Sequence, residues 1–389
     1  MTAVTEHPVD TTRQREVVQT LAAFLPEHAL LHAREDAQPY ECDGLSAYRQ
    51  VPMVVALPET EAQVRRILRT CHALRVPVVA RGAGTGLSGG ALPLGNGLLL
   101  SLARFMRILE IDPVSRTARL QTGVRNLAIS EAAAPYGLYY APDPSSQIAC
   151  TIGGNVAENS GGVHCLKYGL TVHNIVKLRA FTIEGEVLEI GGDGLDAAGY
   201  DLLALMTGSE GMLAVITEIT VKLLPKPECA QVVMAAFDDI EKAAAAVANI
   251  IATGIVPAGL EMMDQAATRA VEEFVHAGYP TDVAGILLCE SDGTREEVAD
   301  EIRRIQDVMD ASGAILTRTS RDEAERLRFW AGRKAAFPAV GRISPDYYCM
   351  DGTIPRKRVG EVLRGIAAME KTYGLRCANV FHAGDGNLH

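Results

Sequence analysis

Five glycines fall within nine residues, in the run Gly82-Ala83-Gly84-Thr85-Gly86-Leu87-Ser88-Gly89-Gly90 that follows Arg81. Residues without a Cβ reach backbone conformations and close approaches that other residues do not, so their N–H groups can surround an anion. A pyrophosphate suits this spacing, and Gly84–Gly89 matches the dinucleotide pattern G-x-G-x-x-G. We predict a phosphate-binding loop; the alternative is a glycine-rich turn between two strands.

The residues after this loop argue against a Rossmann fold. In a Rossmann fold the glycine-rich loop is followed by a helix whose N-terminus holds the phosphates. Here the chain continues through Pro93, Gly95 and Gly97, which do not sustain a helix, and then enters an apolar run at 98–102 that is typical of a strand. The sequence therefore predicts a phosphate loop of a different kind.

Two further elements have the same composition. The second contains Pro142, Asp143, Ser146, Gly153, Gly154, Asn155, Asn159, Ser160, Gly161 and Gly162, and the third runs from Thr207 to Glu210 and Gly211. Backbone N–H groups and short amides suit the polar edge of a ring system as well as a phosphate. Three such elements in one part of the chain predict one large ligand.

Composition excludes several classes of function. The 389 residues carry a formal net charge of −11 without a basic cluster, which argues against nucleic-acid binding. The eight cysteines include no C-x-x-C pair, so an iron–sulfur cluster or a cysteine-bound zinc is not expected. The start of the chain lacks the pattern of a secretory signal, and we expect reduced thiols and a cytoplasmic protein.

The elements that must position these residues follow from periodicity. We predict a leading helix within 11–36, a strand at 51–57, a helix that begins with a capping box at Thr60–Gln63, and a strand at 77–80 that leads into the glycine loop. Further strands are expected at 98–102, 108–111, 118–122, 175–182, 187–190 and 213–224, with a helix at 127–136 and a turn-rich segment at 142–162. Beyond Pro227, strands alternate with helices, which favours a sheet covered by helices on one face.

At this point the chain resembles the FAD-linked oxidases of the vanillyl-alcohol-oxidase type, and within them the glycolate-oxidase group. The motifs that carry the resemblance are 81–90, 142–147, 153–162, 201–211, Tyr347–Pro355 and the terminal His382-Ala-Gly-Asp-Gly-Asn-Leu-His389. The fold implied is α+β: an N-terminal helical segment at 1–46, a two-subdomain FAD-binding domain at 47–226, and an incomplete α+β substrate (cap) domain at 227–389.

The resemblance implies that the three glycine-rich elements bind FAD, with Ile216 beside them. Some members attach FAD covalently through a histidine in the first loop. Thr85 stands at that position here, so we expect non-covalent FAD.

The resemblance also assigns catalytic residues in the second half. Arg333 follows the single tryptophan, Trp330, and would grip a substrate carboxylate with its guanidinium; an exposed helical cation is the alternative. His382 and His389 would be catalytic and would bind a divalent metal such as zinc, which lowers the pKa of a bound hydroxyl. Members of the group take a third metal ligand and a histidine base from a region beyond the equivalent of His389, so we expect a truncated chain.

The function implied is oxidation of glycolate or a small (R)-2-hydroxy acid to the 2-oxo acid, with hydride transfer to the flavin. The electrons would pass to a separate iron–sulfur subunit beside a second flavin subunit, with membrane contact only through these partners. The alternatives are a D-lactate dehydrogenase of the same family and a non-catalytic flavin-binding subunit.

Overall fold

The computed structural model describes residues 9–194, 199–345 and 347–389. Its contacts divide the chain into two units. The first extends to Gly161 and resumes over Leu170–Lys226, and the second combines Gly162–Gly169 with Pro227–His389. The second unit is therefore built from two separate pieces of chain.

The helices and strands are numbered in chain order. The helices are α1 (Thr11–Ala22), α2 (Arg34–Ala37), α3 (Glu61–Leu74), α4 (Asn126–Ala133), α5 (Ile152–Glu158), α6 (Cys165–Tyr168), α7 (Leu202–Met206), α8 (Ile240–Ala252), α9 (Gln265–Val275), α10 (Arg295–Ala311), α11 (Glu323–Lys334), α12 (Ala336–Val340) and α13 (Val359–Tyr373). The strands are β1 (Leu30–Leu31), β2 (Val54–Ala56), β3 (Val78–Arg81), β4 (Leu98–Ser101), β5 (Ile108–Asp112), β6 (Thr117–Gln121), β7 (Leu138–Tyr139), β8 (Ile175–Phe181), β9 (Val187–Gly191), β10 (Val215–Lys222), β11 (Leu224–Pro225), β12 (Cys229–Phe237), β13 (Gly259–Asp264), β14 (Gly285–Gly293), β15 (Leu316–Thr319), β16 (Gly352–Thr353), β17 (Val380–His382) and β18 (Asn387–Leu388). None of the described helices is long and apolar enough to cross a bilayer.

The first unit holds two main sheets. One has the order β1-β2-β4-β3, with β2, β4 and β3 parallel. The other is antiparallel in the order β5-β6-β10-β8-β9, and β7 pairs with β11 beside it. Each sheet has its own apolar core. The parallel strands deliver the chain to the first glycine loop at the carboxyl end of β3.

Helix α3 confirms its sequence prediction. Thr60 accepts a hydrogen bond from the N–H of Gln63, and the Gln63 side chain accepts one from the N–H of Thr60 in return. The buried face consists of Val64, Ile67, Leu68 and Cys71, and burial of its thiol raises the pKa of Cys71 to about 12. This helix therefore begins at its cap and is held by one apolar stripe.

Two expectations for the first unit have different outcomes. Among the described residues no helix lies between β3 and β4, which confirms that the first loop is not of the Rossmann kind.

The turn-rich prediction for 142–162 is wrong, because α5 lies inside this segment. Thr151 caps this helix by accepting from the N–H of Gly154 at 3.4 Å, and that cap together with burial outweighs the low helix propensity of the two glycines.

The second unit is an antiparallel sheet in the order β15-β12-β14-β13-β17-β18-β16. Alternate residues of β12 enter two different cores: Val233, Ala235 and Phe237 pack with α8 and α10, whereas Val232, Met234 and Ala236 pack with α9, α11 and α12. The expectation of a sheet covered on one face is therefore wrong. The α11 segment, whose charges suggest exposure, is held in place by buried Phe329 and Trp330.

We expect Thr60→Ala to lower the free energy of unfolding by about 1 kcal/mol, because it removes the oxygen that caps α3. Denaturant unfolding monitored by circular dichroism measures this loss. Thr20→Ala, at an exposed position of α1, is the control and should leave the free energy of unfolding nearly unchanged. An equal loss in both variants would contradict a capping role for Thr60.

Candidate cofactor and substrate sites

The three glycine-rich elements come together in the first unit. A Cβ on Gly82 would lie 2.3 Å from Oγ1 of Thr151, and one on Gly90 would lie 2.5 Å from Oε1 of Glu158. Gly211, with a positive φ of 73°, lies against the side chain of Ala80, where its own Cβ would be 3.4 Å away. Gly82 is required because a Cβ would overlap the side chain that caps α5, and Gly211 is favoured by its left-handed φ. At Gly90 the long side chain of Glu158 could move away from a Cβ.

Arg81 supports the first loop from below. Its Nη1 donates to the carbonyl oxygen of Cys42 at 2.7 Å, and its guanidinium lies 5.6 Å from the ring centre of Tyr40. Gly84 has a φ of 70°, and a Cβ there would lie 2.2 Å from the same guanidinium. Burial lowers the pKa of Arg81. The arginine is thus a structural support of the loop, and its guanidinium is turned towards the chain around Cys42.

The segment around Asp43 and Gly44 was not identified from the sequence. A Cβ on Gly44 would lie 2.8 Å from the carbonyl oxygen of Gly86 and 2.9 Å from that of Thr85. Asp43 is buried and accepts from the N–H of Leu45 at 2.9 Å. The Asp-Gly pair is a turn signal, but the sequence alone does not say which loop such a turn approaches.

Carboxylates also lie beside the glycine loop. Burial raises the pKa of Glu158, and the negative charges of Glu210 and Asp43 raise it further. Glu210 itself is exposed and adopts a left-handed φ of 53°, with its N–H donated to the carbonyl of Ala157. The sequence singled out Glu210 but missed Glu158, which lies at the last position of α5.

Several predicted cofactor residues are used inside the scaffold. Asn155 is buried and accepts from Nδ2 of Asn126 at 3.0 Å, and Asn126 also donates to the carbonyl of Pro142. Asn159 accepts from the N–H of Val172 at 3.0 Å. The oxygens of these two amides therefore help to order the second element.

The remaining predicted residues are distributed around this scaffold. Ile216 is buried in β10 opposite Ala180. The carbonyl of Ser146 accepts the N–H groups of Ala149 and Cys150, and Asp143 is half-buried. Gly161 is the last residue of this part of the first unit, and Gly162 begins the piece that belongs to the second.

The donor chemistry of the first unit fits a flavin dinucleotide. The loop at 82–90 lacks side chains where the backbone must approach another group closely, and such a loop offers N–H groups to a pyrophosphate. The first loop, which includes Ala83, Leu87, Ser88 and Gly89, approaches the second element at Gly82 and Gly90, and the third element approaches the end of β3 at Gly211. Residues of these three elements could hold the cofactor.

In the second unit, Arg333 and His382 meet on one carboxylate. Arg333, in the last turn of α11, is 1% exposed, and its Nη2 lies 2.8 Å from Oε2 of Glu261. Nδ1 of His382, at the end of β17, lies 2.8 Å from Oε1 of the same glutamate. Glu261 is 2% exposed in β13 and was not identified from the sequence. The burial of Arg333 excludes the alternative that it is an exposed helical cation.

The contact between Arg333 and Glu261 does not use the full capacity of the guanidinium. Its Nε and Nη2 have no partner in hydrogen-bond geometry anywhere in the described part of the chain, although the Nη2–Oε2 distance is short. Nε and Nη2 form one edge of the guanidinium, which is the edge that a carboxylate accepts from with both oxygens. A buried donor without an acceptor costs about 1–3 kcal/mol.

His382 and His389 are brought together by the hairpin of β17 and β18. Phe381 pairs with Leu388 and His382 with Asn387, and the backbones of Val380 and His389 exchange two hydrogen bonds. The imidazole centres are 5.2 Å apart and edge-on. Gly386, with a φ of 85°, is required in this turn, because a Cβ would lie 2.1 Å from the carbonyl of Ile354.

His389 also contacts a carboxylate. Nδ1 of His389 lies 3.3 Å from Oδ1 of Asp351. The pKa of that carboxyl is lowered, since burial would raise it but its contacts with His389 and Asn387 outweigh burial. Nevertheless, no three His, Cys, Asp or Glu side chains within residues 9–194, 199–345 and 347–389 are arranged to hold a metal ion. The two histidines have suitable donor chemistry but do not complete a site there.

Comparisons with known proteins cover most of the chain. The FAD binding domain model matches residues 52–191, and the model of the C-terminal domain of FAD linked oxidases matches residues 226–389. The chain is 64% identical to the glycolate oxidase subunit GlcD of Escherichia coli (strain K12), over 96% of this chain and 75% of that protein.

The chain belongs to the FAD-linked oxidases.

Other relatives of this FAD-linked oxidase extend the comparison. The glycolate oxidase subunit GlcD of Bacillus subtilis is 38% identical over 90% of this chain and 75% of that protein, and a D-lactate dehydrogenase of Anaerostipes hadrus is 30% identical over 96% and 80%. Among solved structures, 4-ethylphenol oxidase from Gulosibacter chungangensis matches with a TM-score of 0.82 at 17% identity, covering 98% of this chain and 82% of that one. The fold is that of the vanillyl-alcohol-oxidase type, and the protein is an FAD-linked oxidoreductase.

We expect Glu158→Gln to stabilise the flavin-free FAD-linked oxidase at pH 7.5. A raised pKa means that the folded chain binds the proton more tightly than the unfolded chain does, so stability falls as the pH rises above the ordinary range of a glutamate. The gain in melting temperature should therefore be present at pH 7.5 and small at pH 4.5. Glu131→Gln, on an exposed residue of α4, is the control, and a larger gain at pH 4.5 would show that the sign is wrong.

Proposed function

We propose that this FAD-linked oxidoreductase oxidises glycolate, or another small (R)-2-hydroxy acid, to the corresponding 2-oxo acid. The observation that carries the proposal is the buried edge of Arg333. Among the described residues its Nε has no hydrogen-bond partner, and its Nη2 has only the 2.8 Å ion-pair contact with Glu261, which lacks hydrogen-bond geometry. A substrate carboxylate accepting from both nitrogens would satisfy the two donors at once. Relatives named as a glycolate oxidase subunit and a D-lactate dehydrogenase support the same class of substrate.

Different side chains of the second unit bind the substrate and orient it. Arg333 binds and orients the carboxylate, and Glu261 keeps the guanidinium in place through its 2.8 Å contact. His382 contacts Glu261, and the ring of His389 lies 5.2 Å from that of His382. These two imidazoles orient the substrate hydroxyl. Bound FAD supplies the hydride acceptor, N5 of its isoalloxazine ring.

We also propose His382 and His389 as two imidazole ligands of a divalent metal such as zinc. The 5.2 Å between their rings and the chemistry of imidazole support this. Because the described residues do not complete the coordination, no step of the reaction is assigned to the metal.

For the electrons, we propose transfer to a partner iron–sulfur subunit, alongside a second flavin subunit. Two relatives are named as subunits of glycolate oxidase, and this chain has no C-x-x-C pair that would support a cluster of its own. A cytoplasmic location, with membrane contact through those partners, goes with this proposal.

The central experiment is anaerobic reduction of the bound flavin. Glycolate, D-lactate and L-lactate are added separately, and loss of the oxidised flavin absorbance is followed; turnover with an artificial acceptor gives kcat/KM. Bleaching by glycolate with a higher kcat/KM than D-lactate supports the proposal, and the reverse order makes the protein a D-lactate dehydrogenase. A yellow protein that no 2-hydroxy acid bleaches would show a non-catalytic flavin-binding subunit.

We expect Arg333→Lys to lower kcat/KM for glycolate by about a hundredfold, mainly through KM, because a lysine keeps the charge but loses the two-nitrogen edge. Arg328→Lys on the same helix is the control, since Arg328 is exposed and contacts Glu325 only at 3.4 Å. Steady-state kinetics with glycolate measure both variants. Equal values for Arg333→Lys and the parent would exclude Arg333 as the carboxylate-binding residue.

We expect the flavin to be released completely on acid precipitation. Thr85 has no ring nitrogen with which to form the histidyl bond that some members of the family make. The yellow colour should appear in the supernatant, and the mass of the denatured chain should match the sequence. Flavin retained by the precipitate would mean a covalent link to another residue.

A further inference from the structure

Glu261 is a buried carboxylate that faces an otherwise apolar core. Met263, the next residue on the same face of β13, packs with Phe329 and Trp330 of α11. The partner strand β14 places Leu288 opposite Glu261. A charge in such surroundings is costly unless it is paired, so the burial of Glu261 depends on the groups that it contacts.

The two carboxylate oxygens of Glu261 contact two different side chains. Oε1 lies 2.8 Å from Nδ1 of His382, and Oε2 lies 2.8 Å from Nη2 of Arg333. An ionised carboxylate only accepts hydrogen bonds, so the proton between Glu261 and His382 resides on Nδ1. In a neutral imidazole the other nitrogen, Nε2, then carries the lone pair.

We propose that Glu261 is the positioning residue of the substrate site, selecting the Nδ1–H tautomer of His382 with one oxygen while it fixes the guanidinium of Arg333 with the other. Nε2 of His382 is thereby an acceptor for an electrophilic partner, either a hydroxyl proton or a divalent cation. The ligand part of this inference rests on the proposed function, whereas the tautomer part does not.

A carboxylate is the side chain that can serve both groups. In Glu261→Gln one end of the amide is an acceptor and the other a donor, whereas Arg333 and the Nδ1–H of His382 both donate. The guanidinium charge attracts the amide oxygen more strongly, so the NH₂ turns towards His382. His382 must then accept at Nδ1, and its proton moves to Nε2.

The chain supplies a matched control in Glu290. This residue is also 2% exposed, lies in the neighbouring strand β14, and also pairs with a histidine and an arginine, His164 at 3.1 Å and Arg326 at 2.7 Å. Glu290→Gln therefore removes an equally buried charge that does not touch Arg333 or His382. Loss of stability common to both variants reports burial and not positioning.

The first test is long-range proton–nitrogen NMR on the holoenzyme labelled at histidine, with the His382 signals assigned by their loss in His382→Gln. We expect the Nδ1–H tautomer in the parent and in Glu290→Gln, and the Nε2–H tautomer in Glu261→Gln. The parent spectrum alone is decisive if Glu261→Gln does not fold, since an Nε2–H tautomer there overturns the proposal. An unchanged tautomer in folded Glu261→Gln overturns it as well.

The second test measures binding of oxalate, a two-carbon dicarboxylate that is not oxidised, by the change in flavin absorbance. We expect Glu261→Gln to weaken oxalate binding about tenfold, the effect of a misplaced buried donor, while Glu290→Gln binds like the parent. Repeating the titration with a metal chelator separates a cation at Nε2 from a hydroxyl proton. Unchanged oxalate affinity in Glu261→Gln contradicts the positioning of Arg333.

The two tests also separate this inference from the proposed function. A parent protein that neither binds oxalate nor is bleached by any 2-hydroxy acid removes the proposed function. The tautomer result would still decide whether Glu261 orients His382.

Discussion

Two carboxylates buried in neighbouring strands control how α11 packs on the sheet of the second unit. Glu261 in β13 contacts Arg333, and Glu290 in β14 contacts Arg326. The two arginines are seven residues apart, which is about two helical turns, so they project from the same side of α11. Because neither carboxylate tolerates burial without its cation, the helix is restricted to one register.

The two pairs differ in how far the charges are satisfied. Glu290 accepts hydrogen bonds from His164, Arg326 and the indole N–H of Trp330. Burial would raise its pKa, but these contacts hold the pKa below the usual range. The pair of Glu261 and Arg333 retains donors without acceptors among the described residues. The pair of Glu290 and Arg326 is thus complete within the fold, whereas the pair of Glu261 and Arg333 leaves donors that the proposed substrate carboxylate would satisfy.

The sequence predicted what depends on local chemistry. The capping box at Thr60–Gln63 and the exclusion of a helix by Pro93 and Gly95 need no knowledge of distant residues. Helix α5 was missed because its glycines have low propensity and its stability comes from packing and from the cap at Thr151. Glu261 was missed for a related reason: a glutamate within a strand is usually exposed, and only its pairing with Arg333 and His382 from distant parts of the chain makes burial possible.

The piece Gly162–Gly169 bears on how the protein is made. Lys167 and Tyr168 bind Asp292, and His164 binds Glu290. During synthesis on the ribosome these residues emerge long before β14 exists, while the strands of the first unit that follow them are still to come. The second unit consequently cannot complete its fold until the ribosome has translated β14. Its first piece is synthesised much earlier and has to wait for that strand.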